Sequence, residues 1–127
     1  MLPALLVVGL VVRLLFINLF FAAHDPGYAV LRDLVKLPAI LADLGVGALV
    51  YAIVRRFAGT GYALGAAALY LLNPATIYIS ALWGQVDSIS GGLALLEIYL
   101  LLRSEDDRRS PAAWIVGAWL AFGYSLL

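Results

Sequence analysis

The sequence predicts an all-α membrane protein, a polytopic bundle of about five transmembrane helices with its N-terminus in the cytoplasm. Hydrophobic residues make up 65% of the 127 residues and charged residues 13%, whereas soluble domains are about half apolar and about a quarter charged. The mean hydropathy is +1.01. In addition, apolar runs approach the length of about 20 residues that a membrane-spanning helix needs.

The composition also excludes several functional classes. Eight basic and eight acidic residues leave no net charge, so neither a basic nucleic-acid-binding face nor an acidic tail is expected. The absence of Cys excludes disulfides and thiolate chemistry, and one His is too few for a His-rich metal site. No cofactor is indicated, and the need for a divalent metal is left open. Because Arg13 interrupts the first apolar run, which no basic region precedes, we interpret that run as a retained helix rather than a signal peptide.

Five apolar runs predict the helices of a single domain, 1–127, and the turns between them are marked by polar residues, Gly or Pro. Gly59-Thr60-Gly61 predicts a turn, Asn73-Pro74 interrupts the third run, and Pro111 suits the first turn of a helix. The last run stops at Leu127 with no anchoring residue after it, which indicates an N-terminal fragment or truncated form. The predicted helices are 2–23, 37–54, 62–82, 89–102 and 111–127.

The arginines predict the orientation. Most basic residues fall in the second and fourth connections, and the positive-inside rule places those connections in the cytoplasm. Segments 24–36 and 83–88 then share the outer face. The basic residues of the second and fourth connections are Arg55, Arg56, Arg103, Arg108 and Arg109; those of the outer connections are Arg32 and Lys36.

Two segments resemble a known family. The first runs from Lys36-Leu37-Pro38 to Asp43, and the second runs from Asn73-Pro74 to Trp83-Gly84-Gln85-Val86-Asp87. Together they resemble segments of membrane glycosyltransferases of the C-type superfamily (GT-C), in particular mannosyltransferases that use polyprenyl-phosphate sugars in glycan biosynthesis. The resemblance covers 36–102, and more loosely 5–28.

The resemblance implies an enzyme in a prokaryotic plasma membrane or the endoplasmic reticulum membrane. It would transfer a mannose-type sugar from a polyprenyl-phosphate donor to a hydroxyl of a glycan, lipid or protein at the outer face. The family has a long first external loop and this chain has about a dozen residues there, so weak or no transfer is expected of the 127-residue form. The alternatives are a small transporter or channel subunit, favoured by intramembrane charges and the Asn73-Pro74 break, and a non-catalytic membrane scaffold.

The resemblance also implies roles for single residues. Asp25 would be the general base, with Asp33 as an alternative, and Lys36 would lie near the donor phosphate. Trp83, Gln85 and Asp87 would shape the substrate pocket. Simpler interpretations are an Asp-Pro-Gly turn at Asp25, a snorkelling Lys36 and an interfacial Trp83 followed by a polar turn.

Polar residues within the apolar runs predict a buried polar network, because such groups are costly at depth unless they are paired or hydrated. With the second helix starting at Leu37, Asp43 lies about 9 Å below the outer end. Side chains lean toward their own helix N-terminus, so Arg13 leans inward and Asp43 outward. We therefore predict that Asp43 meets Asn73 or groups exposed by the Pro74 break, and that Arg13 lies nearer Glu97 than Asp43.

Overall fold

A computed structural model describes residues 1–20, 26–83, 87–106 and 111–125. Across these ranges every regular element is helical, which confirms the predicted all-α class. Two helical stretches, Leu2–Leu19 and Val30–Leu71, are long and apolar enough to cross a membrane. The elements are α1 (Leu2–Phe20), α2 (Pro26–Leu71), α3 (Pro74–Ile77), a π-helix (Tyr78–Trp83), α4 (Asp87–Asp106) and α5 (Pro111–Ser125).

Helix α1 buries its charged residue, Arg13, and exposes many of its aliphatic side chains. Gly9, Arg13 and Ile17, spaced four residues apart, form its buried face. A helix in water shows the opposite pattern, with charges outward and aliphatic side chains in the core. This arrangement suits an apolar environment. The exposed side chains of α1 include Val7, Val8, Val11, Leu15 and Leu19.

Helix α2 begins at Pro26, so the predicted start at residue 37 is wrong. Pro is favourable at the first position of a helix, and the mixed composition of 28–36 hid a continuous buried face. Arg32 and Lys36 on that face are buried and hydrogen-bonded. The face continues through Ile40. Consequently only five residues, 21–25, separate α1 from α2, fewer than the dozen or so expected.

Gly59 divides α2 into two limbs, 26–58 and 60–71. Its backbone has φ 82° and ψ 176°, in the positive-φ region that glycine adopts without steric cost. A Cβ on Gly47 would lie 2.6 Å from the side chain of Leu71, and these two residues are each twelve positions from Gly59. The two limbs therefore pack side by side, and the turn predicted at Gly59 is confirmed.

Asn73 and Pro74 interrupt the helical path a second time, within the predicted helix 62–82. Asn73 is extended (φ −64°, ψ 122°) and its side-chain oxygen accepts from the Ala75 N–H, capping α3. Pro74 occupies the first turn. The chain then continues through α3 and the π-helix. The expected interruption is therefore confirmed, and the predicted helix 62–82 is divided into shorter helical segments.

Helices α4 and α5 complete the described bundle. Helix α4 is longer than the predicted 89–102, and α5 agrees with the predicted 111–127 over its described residues. Helix α5 packs on α4, which packs on α2. An ion pair of 3.6 Å between Arg56 and Glu105 places the C-terminal end of α4 beside the turn at Gly59, where the first limb of α2 ends. The second and fourth connections therefore lie at the same end of the bundle.

Candidate functional site

A buried ion pair between α1 and α2 lies at the centre of the described helices. The Nη2 of Arg13 lies 2.8 Å from Oδ2 of Asp43, and the two side chains are 0% and 1% exposed. Nε of Arg13 also approaches Oδ2, at 3.3 Å. Two opposite charges removed from solvent stabilise each other only when their remaining hydrogen-bonding groups are also satisfied.

The Asp43 carboxylate meets that requirement on both oxygens. Its Oδ1 accepts from the hydroxyl of Tyr70 at 2.9 Å and from the hydroxyl of Ser88 at 2.6 Å, while Oδ2 accepts from Arg13. Asp43 therefore joins α1, α2 and α4 through hydrogen bonds that occupy both of its oxygens.

The Arg13 guanidinium holds both sides of the break at Asn73-Pro74. Before the break, its Nη1 donates to the carbonyl of Leu71 at 3.0 Å. After the break, its Nε donates to Ser80 Oγ at 3.1 Å, and that hydroxyl donates to the carbonyl of Thr76. Nη1 also donates to the Gly9 carbonyl one turn earlier. One side chain thus connects α1, the end of α2 and the π-helix.

The prediction that Arg13 lies nearer Glu97 than Asp43 is wrong, because the buried ion pair joins Arg13 to Asp43. Arg13 leans toward Gly9, as expected, and bonds to its carbonyl. Its guanidinium nevertheless reaches Asp43, so the argument from opposed side-chain directions fails. The start of α2 was also misplaced, since Asp43 lies seventeen residues after Pro26, or about 25 Å along the helix.

Asn73 lies outside the network. It is exposed and caps α3, so Asp43 binds Tyr70 and Ser88 in the place predicted for Asn73. Pro74 leaves the Tyr70 carbonyl without its helical donor, as expected. The Thr76 hydroxyl donates to that carbonyl at 2.9 Å.

Lys36 joins the two segments that carry the family resemblance. Its Nζ donates to the carbonyl of Ala81 at 2.9 Å, in a buried position. Ala81 belongs to the last turn of the π-helix, where carbonyls lack helical donors and a cation is favourable. The ammonium therefore holds the helix end that leads directly into the Trp83-Gly84-Gln85-Val86-Asp87 segment.

Arg32 lies one turn before Lys36 and pairs with Asp33, the alternative base. Arg32 Nη2 lies 2.7 Å from Oδ1 of Asp33, whose side chain is 43% exposed. Arg32 also donates to Asn18 of α1 at 3.4 Å. The end of α2 nearest Pro26 therefore carries two neighbouring positive charges and one paired carboxylate.

The remaining predicted site residues are described only in part or not at all. Asp25 and Gln85 lie outside the described residues. Trp83 ends the π-helix and Asp87 begins α4, while their side chains lie outside the description.

A cleft of about 310 Å³ opens beside the Asp43 carboxylate. Three hydroxyl-bearing residues and several apolar side chains line it, so it suits a largely apolar group with few polar contacts. Besides Asp43 the lining comprises Val46, Tyr70, Thr76, Ile79, Ser88, Gly91 and Leu95.

Sequence reasoning missed Tyr70, Ser80 and Ser88 as members of the network. Aromatic residues and serines are common enough that no local pattern distinguishes these three. Ser80 alone offers a weak signal, since it lies one turn after Thr76 and bonds to its carbonyl.

One comparison with known protein families finds a match. The model of the dolichyl-phosphate-mannose-protein mannosyltransferase family matches residues 12–126. The chain belongs to this family. The resemblance to membrane mannosyltransferases is thereby confirmed. No curated protein and no solved structure matches the chain.

Membership of the mannosyltransferase family fits the two apolar stretches in identifying a membrane protein related to glycosyltransferases. Arg13, Asp43 and the contact between Lys36 and Ala81 all fall within the matched range. The Arg13–Asp43 pair and the two motif segments therefore lie within the matched range.

Proposed function

We propose that this protein transfers a mannose-type sugar from a polyprenyl-phosphate donor to an acceptor hydroxyl at the outer membrane face. The observation that carries the proposal is the bond from Lys36 to the Ala81 carbonyl. It joins the two motif segments at one end of the bundle, in a chain of the mannosyltransferase family.

The protein crosses the membrane several times, with its N-terminus in the cytoplasm, in a prokaryotic plasma membrane or the endoplasmic reticulum membrane. The ion pair between Arg56 and Glu105 supports this topology, because it brings together the two connections richest in arginine. The opposite end, with Lys36 and Ala81, then faces outward.

The donor lies along α2 near that outer end. Arg32 and Lys36 supply positive charge for the phosphate. Leu31, Leu34 and Val35 are exposed at the same level, and they give the polyprenyl chain an apolar surface. A charged headgroup and a lipid tail thus both find matching chemistry within two helical turns.

Transfer proceeds by one displacement with inversion at the anomeric carbon. Asp25 accepts the proton of the acceptor hydroxyl, whose oxygen forms the new bond to that carbon. The bond from the anomeric carbon to the phosphate oxygen breaks, and polyprenyl phosphate leaves with the bonding electrons. Trp83, Gln85 and Asp87 shape the pocket for the sugar and for an acceptor on a glycan, lipid or protein.

Changing Asp87 to Asn tests this assignment. Losing a charged hydrogen-bond acceptor costs roughly 1.5–3 kcal/mol, so sugar transfer should fall by roughly 10- to 100-fold. Transfer of radiolabelled mannose from synthetic polyprenyl-phosphate mannose, by purified protein in proteoliposomes, measures the ratio. The short first connection predicts slow turnover even for the unaltered chain.

The matched control is Asp106→Asn, the same change at the other end of α4. We expect it to leave transfer unchanged, and both variants to accumulate in membranes normally. Full activity of Asp87→Asn would remove that residue from the pocket. Radiolabel that reaches the acceptor no faster with the unaltered protein than in protein-free liposomes would refute the proposed reaction.

A further inference from the structure

Glu97 is an unpaired carboxylate halfway along α4. It lies ten residues after Asp87 and nine before Asp106, or about 15 Å from either end. Among the described residues no hydrogen bond or ion pair joins Glu97 to another group. A charge at such depth is costly and usually has a partner.

The carboxylate faces a cleft between α4 and α5 of about 350 Å³. Leu101, Ala118, Trp119 and Phe122 line the rest of it. The rings of Trp119 and Phe122 meet edge to face, with centroids 6.3 Å apart, and both residues are partly exposed. A carboxylate beside two aromatic rings is suited to a cation, because ring faces carry negative charge density.

We propose that this cleft docks a transmembrane helix that lies outside these 127 residues and carries a Lys or Arg at mid-membrane depth. The basic side chain pairs with Glu97 and contacts the aromatic rings. The inference takes α4 to cross the membrane, as the proposed function does, but it does not depend on sugar transfer.

Depth and charge identify this occupant. A lipid amine lies at the headgroup level, about 15 Å from Glu97 in a core of about 30 Å. A second copy of the chain has no suitable cation among its described residues, because Arg13, the mid-helix cation, is committed to Asp43. The other described basic residues lie near the start of α2, near the turn at Gly59 or near the end of α4; they are Arg32, Lys36, Arg55, Arg56 and Arg103.

A model peptide tests the pairing directly. The probe is a 20-residue Leu/Ala transmembrane peptide with one central Lys and a fluorescent acceptor. Because the chain has no Cys, Thr60→Cys, at an exposed site, gives a single donor position. Energy transfer is titrated in phosphatidylcholine vesicles, with no sugar donor present. We expect the Lys peptide to bind about tenfold or more tightly than its central-Leu counterpart.

Glu97→Gln should abolish that preference, and it removes an unpaired charge without changing the size of the side chain. The matched control is Glu105→Gln, near the end of the same helix, which should keep the preference. Equal binding of the Lys and Leu peptides, or a preference that survives Glu97→Gln, would overturn the proposal. So would Glu97-dependent energy transfer between copies of the chain, which would make a second copy the occupant. Failure of sugar transfer leaves these outcomes unaffected.

Discussion

Replacing Arg13 with Leu lowers the free energy of unfolding by roughly 3–5 kcal/mol, because it leaves Asp43 buried without its counter-ion. The substitution also removes the donors to the Leu71 carbonyl and Ser80, and so releases both sides of the broken helix. The measurement is unfolding by SDS in mixed dodecyl maltoside micelles, followed by far-ultraviolet circular dichroism.

Two controls separate this effect from a general loss of charge. Arg55→Leu removes an exposed arginine that lies 5.9 Å from the Tyr51 ring, and it should cost about 1 kcal/mol or less. The double change Arg13→Leu with Asp43→Leu should recover much of the loss, since neither charge of the pair is left buried without its partner. If Arg13→Leu were no more harmful than Arg55→Leu, the network would not stabilise the bundle.

The helical class, the turn at Gly59 and the helix interruption at Asn73-Pro74 could be predicted because local chemistry determines them. Apolar runs specify helices, Gly59 supplies the positive φ of a tight turn, and Pro74 cannot continue the preceding helix. The start of α2 could not be predicted in this way. Arg32 and Lys36 make residues 28–36 appear polar, and only their buried tertiary partners explain why this stretch is helical.

The wrong partner of Arg13 has another cause. The predicted leans of Arg13 and Asp43 were opposed, but the long guanidinium side chain reaches the carboxylate despite them, and the pair forms at 2.8 Å. The hydroxyls of Tyr70 and Ser88 escaped prediction for a different reason, since they are brought to Asp43 by the packing of three separate segments. By contrast, the meeting of the two motif segments followed from the arrangement of helices, and the Lys36–Ala81 bond fits it.

We expect Asp25→Asn to lower the rate of sugar transfer by about 10²–10⁴-fold, the usual contribution of the general base that we propose Asp25 to be. Asp33→Asn, the change at the alternative base, should lower it less than about tenfold, because Arg32 already engages the Asp33 carboxylate at 2.7 Å. Turnover at saturating donor and acceptor, in proteoliposomes, measures both.

The two variants act as controls for each other, since each removes one carboxylate and the two positions are eight residues apart in the sequence. Both should bind the donor as tightly as the unaltered protein, so the difference should lie in kcat rather than KM. A severe loss for Asp33→Asn together with an active Asp25→Asn would exchange their roles. If both variants were as active as the unaltered protein, neither Asp25 nor Asp33 would be the base.

Photolabelling with a polyprenyl-phosphate mannose that carries a diazirine beside the phosphate tests the central claim most directly. Mass spectrometry of the irradiated protein then locates the donor. We expect labels concentrated in 31–36 and 78–83. Unlabelled donor should suppress this labelling, and a polyprenol probe that lacks the phosphate should label these segments much more weakly. Labels spread over the exposed apolar faces of all helices, or equal labelling by the polyprenol probe, would contradict a donor site at the junction of the two segments.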